Sequence, residues 1–456
     1  MKTNKQKSIF FILTLLTSSS AFALNLSDLQ GESRREYRSP RGVPELCVIA
    51  KKWPGASYKT GDLEKEKTLC NYDFYLNMGI CPKYTSTNPA ILLLEPNAKY
   101  TKEAIDASDC NLKKLDVKTE AKFKQTITCS NTSSIVAYYH VSRALGNIGR
   151  VPTTVLRTMD IQTHAKLTQK ANDYLRNVND SIRISWQHFA EVHKFPRMYP
   201  LLFDNSQSQI FGALSDNVKD EEQYGDVSGV GDYDTRYQRF LRQAPFQRVA
   251  SSQSVPQQVG SSEFTKVAQI VTQMKDVSDM VLLDTMLNQQ DRIGNIHYKF
   301  YWYYINPQTT TIERSKSNAK VSNGQIKVPD EELREMAGRK AALLKEMVLK
   351  DNDCGVSKTN MMKKIGALDK VRHMSYQTYR RLLAFEQTLN TPAGKDYFMK
   401  ELLFSAADYS SLLKNTQEAK RILVSKCQSS QLQFDVDLEN YVAGTNSRRP
   451  KTTCTL

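Results

Sequence analysis

Residues 282–297 have the sequence LLDTMLNQQDRIGNIH, in which a polar loop joins an apolar segment to an aromatic one. Within the loop, Asn295 follows Asp291 by four residues. Phosphoryl-transfer enzymes use such an Asp to orient the attacking hydroxyl group and such an Asn to bind a metal ion. The spacing therefore predicts Asp291 as a catalytic residue and Asn295 as a metal ligand. A simpler interpretation is that Asp291 and Arg292 end a surface helix that Gly294 caps.

The segments that follow this loop and precede it predict regular elements. Residues 264–287 place apolar side chains on one face of a helix, and the alternating residues 297–305 favour a strand. Later patterns predict a loop as far as residue 325, a helix over 330–345, a strand ending in an acidic turn over 346–355, and helices over 361–426. The loop with Asp291 is therefore expected between a helix and a strand.

The N-terminal half predicts a strand over 119–129, then a helix, then a second strand that ends by residue 160. The helix covers residues 133–145, and Ser130 or Thr132 is its expected N-cap. Other patterns predict a buried strand over 90–94, helices over 166–200, and a polar connection or insertion over 205–260.

Three further residues complete a candidate phosphotransferase site. Lys124, in the strand sequence KFKQTI, is the candidate for contacting nucleotide phosphates, and Lys122 is its rival. Asp351 ends the strand VLKDND, and Asp353 follows two residues later. Either Asp is a candidate metal ligand, and the sequence leaves the choice between them open.

The segments SIVAYYHVSRALGNIGRVPTTVLR (134–157), LLDTMLNQQDRIGNIH and VLKDND together resemble the atypical kinase-like superfamily. That group includes secretory-pathway Golgi casein kinases, phosphoinositide lipid kinases, actin-fragmin kinase and HipA toxins. The resemblance implies an α+β, bilobal, protein-kinase-like fold with a small β-rich N-lobe and a mainly helical C-lobe. It also implies ATP with Mg²⁺ or Mn²⁺ as cofactors and a protein or other hydroxyl group as the acceptor.

The chain departs from the kinase pattern at two places. Asn295 lies four residues after Asp291, whereas the usual kinase loop places it five residues after. The helix over 133–145 contains no Asp or Glu to hold the phosphate-binding Lys, so Glu120 or Asp160 would have to substitute. These departures motivate the alternative of a secreted pseudokinase that binds without turnover. Transfer of another group, such as AMP, on the same scaffold is a third possibility.

The start of the chain is typical of a secretory signal peptide, with Lys2, Lys5 and Lys7 before an apolar stretch and the small-x-small sequence of residues 21–23. Eight cysteines follow this leader, and an even number in an exported chain indicates disulfide bonds, with Cys354 expected as a disulfide half. The protein is therefore expected in the periplasm or outside the cell. Because these places hold little ATP, the protein either acts inside a host cell or compartment or does not use ATP.

The formal net charge is +15, of which the leader contributes three, and this balance favours nucleotides and other acidic partners. Lys and Arg are spread along the chain, which disfavours a nucleic-acid-binding arm. The expected division is a signal peptide (1–23), a Cys-bearing extension of irregular structure (24–85), the N-lobe (86–165), a helical connection with a polar insertion (166–261), the C-lobe (262–430) and a tail (431–456).

Overall fold

The computed structural model describes residues 24–178, 180–442 and 453–455. The predicted signal peptide at residues 1–23 lies outside this part of the chain. The described protein is α+β, with a sheet-rich N-terminal part and a helical C-terminal part. Within the described residues, no helix has both the length and the apolar character that crossing a membrane requires.

A seven-stranded antiparallel sheet dominates the N-terminal part, with the strand order β1-β2-β6-β7-β5-β4-β3. Its strands are β1 (Ser33–Arg38), β2 (Pro44–Ile49), β3 (Gly79–Pro82), β4 (Ala90–Glu95), β5 (Lys118–Lys124), β6 (Thr154–Asp160) and β7 (Gln209–Asp216). The predicted strand at residues 90–94 is confirmed, and the strand expected over 119–129 ends at Lys124.

Two expectations about this part of the chain are wrong. Residues 24–85 are not irregular, because they supply β1, β2 and β3. The polar connection expected over 205–260 contains β7, which lies in the centre of the sheet. Polar residues flank the buried sequence QIFGAL on both sides, so the local pattern does not predict a strand there.

Helices cover both faces of this sheet: α1 (Thr60–Leu69), α2 (Lys102–Ala107), α3 (Thr132–Ala144), α4 (Ile161–Tyr174) and α5 (Ser181–Lys194). Side chains alternate along a strand, so neighbours face opposite layers. Val48 of β2 joins the core that contains α3, whereas Ile49 joins the core of α4 and α5. The helix predicted over 133–145 is thereby confirmed as the layer behind the sheet.

The C-terminal part combines a four-stranded sheet and a separate two-stranded sheet with a helical core. Its strands are β8 (Glu222–Gln223), β9 (His297–Ile305), β10 (Ile312–Lys316), β11 (Lys320–Ser322), β12 (Gln325–Lys327) and β13 (Ala341–Val348). The helices are α6 (Gly225–Ser228), α7 (Arg236–Arg242), α8 (Ala244–Ala250), α9 (Val255–Val259), α10 (Phe264–Met286), α11 (Asp330–Met336), α12 (Met361–Lys364), α13 (Ala367–Lys370), α14 (Tyr376–Leu389), α15 (Pro392–Asp396) and α16 (Ala406–Gln428).

The long helix α10 lies at the centre of this core, as its apolar pattern predicts. The loop expected as far as residue 325 is wrong, since this segment contains β10 and β11 and ends where β12 begins. The helix expected over 330–345 ends at Met336, because residues 341–348 instead pair with β9 as β13.

Four disulfide bonds confirm the interpretation of the cysteines: Cys47–Cys70, Cys81–Cys110, Cys129–Cys354 and Cys427–Cys454. Three of them close loops of 23 to 29 residues. Cys129–Cys354 closes a loop of 225 residues and joins the sheet-rich part to the turn after β13. This bond is therefore a covalent link across the candidate site.

Candidate active site

Lys124 lies at the end of β5, beside Ala90 of β4 and Ala213 of β7. The strand β7 approaches closely here, because a methyl group on Gly212 would overlap the Lys124 carbonyl. The Lys124 Nζ atom lies 2.9 Å from Asp353 Oδ2 and 3.5 Å from Asp351 Oδ1. The structure thus brings together three of the five residues that the sequence predicts for the site.

Burial acts to lower the pKa of Lys124, but Asp353 and Asp351 outweigh it and raise the pKa above its ordinary value. Burial acts in the opposite direction on Asp351, where Lys124 and three other lysines hold the pKa well below its ordinary range. Each charge therefore stabilises the other, and Asp351 is a carboxylate at neutral pH.

Three more lysines surround Asp351, namely Lys83, Lys122 and Lys350. Lys122 lies two residues before Lys124 and lines the same cleft, and Lys350 directly precedes Asp351 and pairs with Glu221. Among the described residues, neither Lys83 nor Lys122 forms an ion pair within 4 Å. The cleft therefore presents positive charge that the protein does not fully neutralise, which suits an anionic ligand.

Burial, reinforced by Lys83, lowers the pKa of Lys122 to about 8. A lysine with this pKa carries its charge below about pH 8 and loses it as the pH rises further. We therefore expect the affinity of the protein for inorganic tripolyphosphate to fall as the pH rises through about 8, as measured by calorimetric titration.

The matched variant for this prediction is Lys122→Arg, because arginine keeps its charge throughout this pH range. Ionisation of the ligand itself affects both proteins equally, so it cancels in the comparison. Lys166→Arg on the exposed surface of α4 should behave like the wild type. Parallel pH curves for the wild type and Lys122→Arg would contradict the assignment of Lys122 to the anion site.

Helix α3 contacts the acidic turn through hydroxyl and amide groups in place of an acid. Ser134 Oγ donates to the Asn352 carbonyl at 2.6 Å, and the Asn131 backbone N–H donates to the Asp353 carbonyl at 2.9 Å. Asn131 is also the N-cap of α3, so the expected caps Ser130 and Thr132 are wrong. The first turn of this helix therefore fixes the backbone on which both acids lie.

The two acids expected as substitute partners of Lys124, Glu120 and Asp160, contact other residues instead. Glu120 pairs with Lys219, and Asp160 caps α4 while it accepts a hydrogen bond from Ser39. Lys124 itself is paired with the two acids of the Asp351–Asp353 turn. The expectation that Glu120 or Asp160 holds Lys124 is therefore wrong.

The loop with Asp291 lies beyond the end of helix α10 and does not form a cap of that helix. Helix α10 ends at Met286, and Asn288 adopts a left-handed conformation with φ 53°. Gly294 turns the chain three residues before β9 begins, with φ 102°, and Arg292 is completely buried. The interpretation of Asp291 and Arg292 as the end of a surface helix is therefore wrong.

Arg292 connects this loop to the acidic turn. Its guanidinium donates to both carboxylate oxygens of Asp284 at 2.9 and 3.1 Å, and to Asn352 Oδ1 at 2.6 Å. The Tyr138 hydroxyl of α3 donates to Asp284 at 2.7 Å. This buried network fixes the loop, the turn and α3 relative to one another.

Asp291 lies at the surface end of the loop, with its side chain 30% exposed. Asp291 Oδ1 accepts from the Tyr233 hydroxyl at 3.1 Å and pairs with Arg236 at 2.7 Å. Asn295 donates to the Asp291 carbonyl at 2.7 Å and so closes the loop on itself. The short spacing from Asp291 to Asn295 therefore serves a compact turn, in which the Asn amide supports the Asp.

The turn and the loop are adjacent along their backbones. The Gln290 N–H donates to the Cys354 carbonyl at 2.9 Å, and the Val356 N–H donates to the Leu287 carbonyl at 2.6 Å. Gly355 is required between them, because a methyl group there would approach the Leu287 carbonyl oxygen to 2.9 Å. The acidic turn and the loop of Asp291 therefore lie side by side.

The described residues contain no group of three or more His, Cys, Asp or Glu side chains that could hold a metal ion by themselves. Two carboxylates nevertheless suit Mg²⁺, which is usually bound through one or two carboxylates together with substrate phosphates. Asp351 and Asp353 are therefore a suitable partial ligand set. The cavity beside them is small, about 40 Å³, so a nucleotide would have to displace side chains to enter.

Several functional candidates escaped the sequence patterns. Lys83 reaches the cleft only because β3 and β4 pair, since its N–H donates to the carbonyl of Ala90, the register partner of Lys124. Tyr233 and Arg236 lie in the segment expected to be a plain polar connection. Lys350, by contrast, stands directly before Asp351 in the predicted strand and turn.

Neither a known protein family nor a curated protein matches the sequence of this chain.

Proposed function

We propose that this protein is an exported phosphotransferase of the atypical kinase-like type, which transfers phosphate from ATP to a hydroxyl group of a protein or another acceptor. The observation that carries the proposal is the meeting of Lys124 with Asp351 and Asp353 beside the loop of Asp291. In this proposal the seven-stranded sheet belongs to the small lobe, and the core around α10 belongs to the large lobe.

Each charged group in the cleft has a role in this proposal. Lys124, with Lys83 and Lys122, would hold the phosphates of the nucleotide, and Asp351 and Asp353 would hold Mg²⁺ or Mn²⁺. The metal ion supplies neutralisation of phosphate charge when it is bound. The protein contributes positioning and preorganised charge, which provide most of the catalysis in phosphoryl transfer.

Asp291 would orient the acceptor hydroxyl in this proposal. Its carboxylate is accessible, and it is held in a fixed direction by Arg236 and by the support of Asn295. Phosphoryl transfer passes through a loose transition state, so orienting the hydroxyl matters more than strong basicity. An ion pair with Arg236 is therefore compatible with this role.

The alternative of a pseudokinase, a binding module without turnover, has two observations in its favour. Lys124 is bound by the very acids that would hold the metal ion, and Asp291 is bound by Arg236. The small cavity points in the same direction, since ligand pockets usually enclose about 300–1,000 Å³. Turnover of ATP is therefore the property that separates the two functions.

We expect ATP with Mg²⁺ or Mn²⁺ to raise the thermal unfolding midpoint of the protein. Ligand at a hundredfold excess over Kd stabilises the folded state by about 2.7 kcal/mol, and each kcal/mol raises the midpoint by roughly 2–4 °C for a domain of medium size. Asp351→Asn should lose the metal-dependent shift, because it removes a carboxylate from the metal ligand set.

The control variant is Asp396→Asn, which removes an exposed acid on α15 whose ion pair is with Lys400, one helical turn away. It should keep the full shift. A protein whose midpoint responds to no nucleotide at any metal concentration would refute the nucleotide site. Where binding is found, the mass added to an acceptor distinguishes transfer of phosphate from transfer of AMP, and the absence of both identifies the pseudokinase.

A further inference from the structure

The segment from β8 to α7 lies directly against the loop of Asp291. At one end, the Tyr224 N–H donates to the Ile296 carbonyl at 2.8 Å. At the other end, the Tyr237 hydroxyl donates to the Gln290 carbonyl at 2.7 Å. The sequence between α6 and α7, GVGDYDT, is therefore held over the candidate catalytic residue from both sides.

Tyr233 is the residue of this segment that faces Asp291. Its hydroxyl donates to Asp291 Oδ1 at 3.1 Å, although the residue as a whole is 67% exposed. The Arg236 guanidinium lies over the Tyr233 ring at 3.4 Å from its centroid and pairs with the same carboxylate oxygen. Arg236 thus fixes both the ring of Tyr233 and the carboxylate that its hydroxyl contacts.

Tyr237, four residues later, shows what a purely structural tyrosine looks like at this place. It is buried, and its hydroxyl both donates to the Gln290 carbonyl and accepts from the Arg292 N–H. A buried hydroxyl must find such partners, whereas the exposed Tyr233 could direct its hydroxyl to water. The contact of Tyr233 with Asp291 is therefore not required by burial.

We infer that Tyr233 occupies the acceptor position of the site and that the protein phosphorylates the Tyr233 hydroxyl within the same molecule. The distance to Asp291 lies within the range of about 2.6–3.2 Å that proton transfer to a catalytic base requires. This inference rests on the proposed function, because it needs a nucleoside triphosphate bound beside Asp351 and Asp353.

The transfer step balances without a further reactant. The Tyr233 oxygen attacks the terminal phosphorus of the nucleoside triphosphate and forms a new O–P bond. The bond from that phosphorus to the bridging oxygen breaks, and the nucleoside diphosphate leaves with its electron pair. The phenolic proton passes to the Asp291 carboxylate, from which it returns to water.

The product would no longer fit against Asp291. A phosphate on Tyr233 carries a charge of about −1.5 to −2 at neutral pH and would be repelled by the adjacent carboxylate. Arg236, already beside the ring, is positioned to pair with it. Modification would therefore transfer Arg236 from Asp291 to the phosphate and leave the carboxylate open to another acceptor.

The experiment incubates the purified protein with ATP and Mn²⁺ and locates added phosphate by tandem mass spectrometry. We expect phosphate on Tyr233, with a first-order rate constant that does not depend on protein concentration. Tyr233→Phe should abolish this modification. Asp291→Asn should slow it by about 10²–10⁴-fold, the usual contribution of a general base, while the nucleotide-dependent rise in the unfolding midpoint remains.

Tyr174→Phe is the matched control, since Tyr174 is also a partly exposed tyrosine but stacks on Tyr84 of the N-terminal part. It should leave the modification unchanged. Nucleotide binding and ATP turnover without phosphate on Tyr233 would overturn the inference and leave the proposed function intact. Phosphate on Tyr237 or elsewhere, or a rate that rises with protein concentration, would overturn it equally. No nucleotide binding at all would overturn both.

Discussion

Replacing Arg292 by methionine is expected to lower the free energy of unfolding by about 3–5 kcal/mol, the usual cost of removing one partner of a buried ion pair. Arg292 and Asp284 are both completely buried and joined by two hydrogen bonds. Methionine has a similar length and leaves no large cavity. The loss of unfolding free energy therefore measures the cost of leaving the Asp284 carboxylate buried without its counter-charge.

The same substitution also removes the hydrogen bond that links the loop of Asp291 to the acidic turn of the candidate site. Asn352 loses the hydrogen bond from Arg292, and Asn352 is the residue between the two acids that hold Lys124. The Tyr138 hydroxyl keeps its bond to Asp284, but it cannot neutralise the charge. Urea denaturation followed by circular dichroism measures the stability, since the urea midpoint falls in proportion when the slope is unchanged.

Two comparisons make the test specific to the buried charge. Lys400→Met removes an exposed helix ion pair with Asp396, which typically contributes only about 0.3–0.5 kcal/mol. The double variant Arg292→Met with Asp284→Leu removes both charges and should be more stable than Arg292→Met alone. If Arg292→Met cost no more than Lys400→Met, the network would not be what holds the loop to the turn.

The elements predicted best from the sequence are those whose pattern is local. The helix α10 shows its apolar periodicity without help from distant residues, and the short apolar run before Glu95 predicts a buried strand. The strand β7 escaped because its place at the centre of the sheet depends on pairing with β5 and β6. Local pattern contains no information about such long-range partners.

The candidate site shows the same division. The acidic turn and the loop of Asp291 were predictable, because each has a recognisable order of residue types. The ion pair between Lys124 and Asp353 spans 229 residues and could not be read from spacing. Strand pairing and loop folding bring Lys83, Arg236 and Tyr233 to the site. The charge of the cleft therefore depends on contacts between residues that are distant in the sequence.

Removing the Cys129–Cys354 disulfide with a double serine variant is expected to lower the free energy of unfolding by up to about 5 kcal/mol. In the chain-entropy treatment, a cross-link stabilises the protein by restricting the unfolded chain, and the effect grows with loop length. This bond closes 225 residues, whereas Cys81–Cys110 closes 29. The same treatment gives the longer loop an advantage of about 2 kcal/mol.

The serine variants of Cys81–Cys110 therefore provide the matched control, and urea denaturation of both double variants measures the difference. Equal losses for the two bonds would show that loop length is not what makes Cys129–Cys354 stabilising. A larger loss for Cys81–Cys110 would contradict the expected order.

The disulfide also tests how the acidic turn is held in place. Cys354 follows Asp353, and hydrogen bonds from Asn131, Ser134, Gln290 and Arg292 fix this turn independently of the sulfur bridge. The folded variant should therefore retain nucleotide affinity while it loses stability, because the bridge acts on the unfolded chain and the hydrogen bonds act on the site. If the affinity collapsed at temperatures where the variant is still folded, the bridge itself would be positioning Asp353, and the hydrogen bonds from α3 would be too weak to do so.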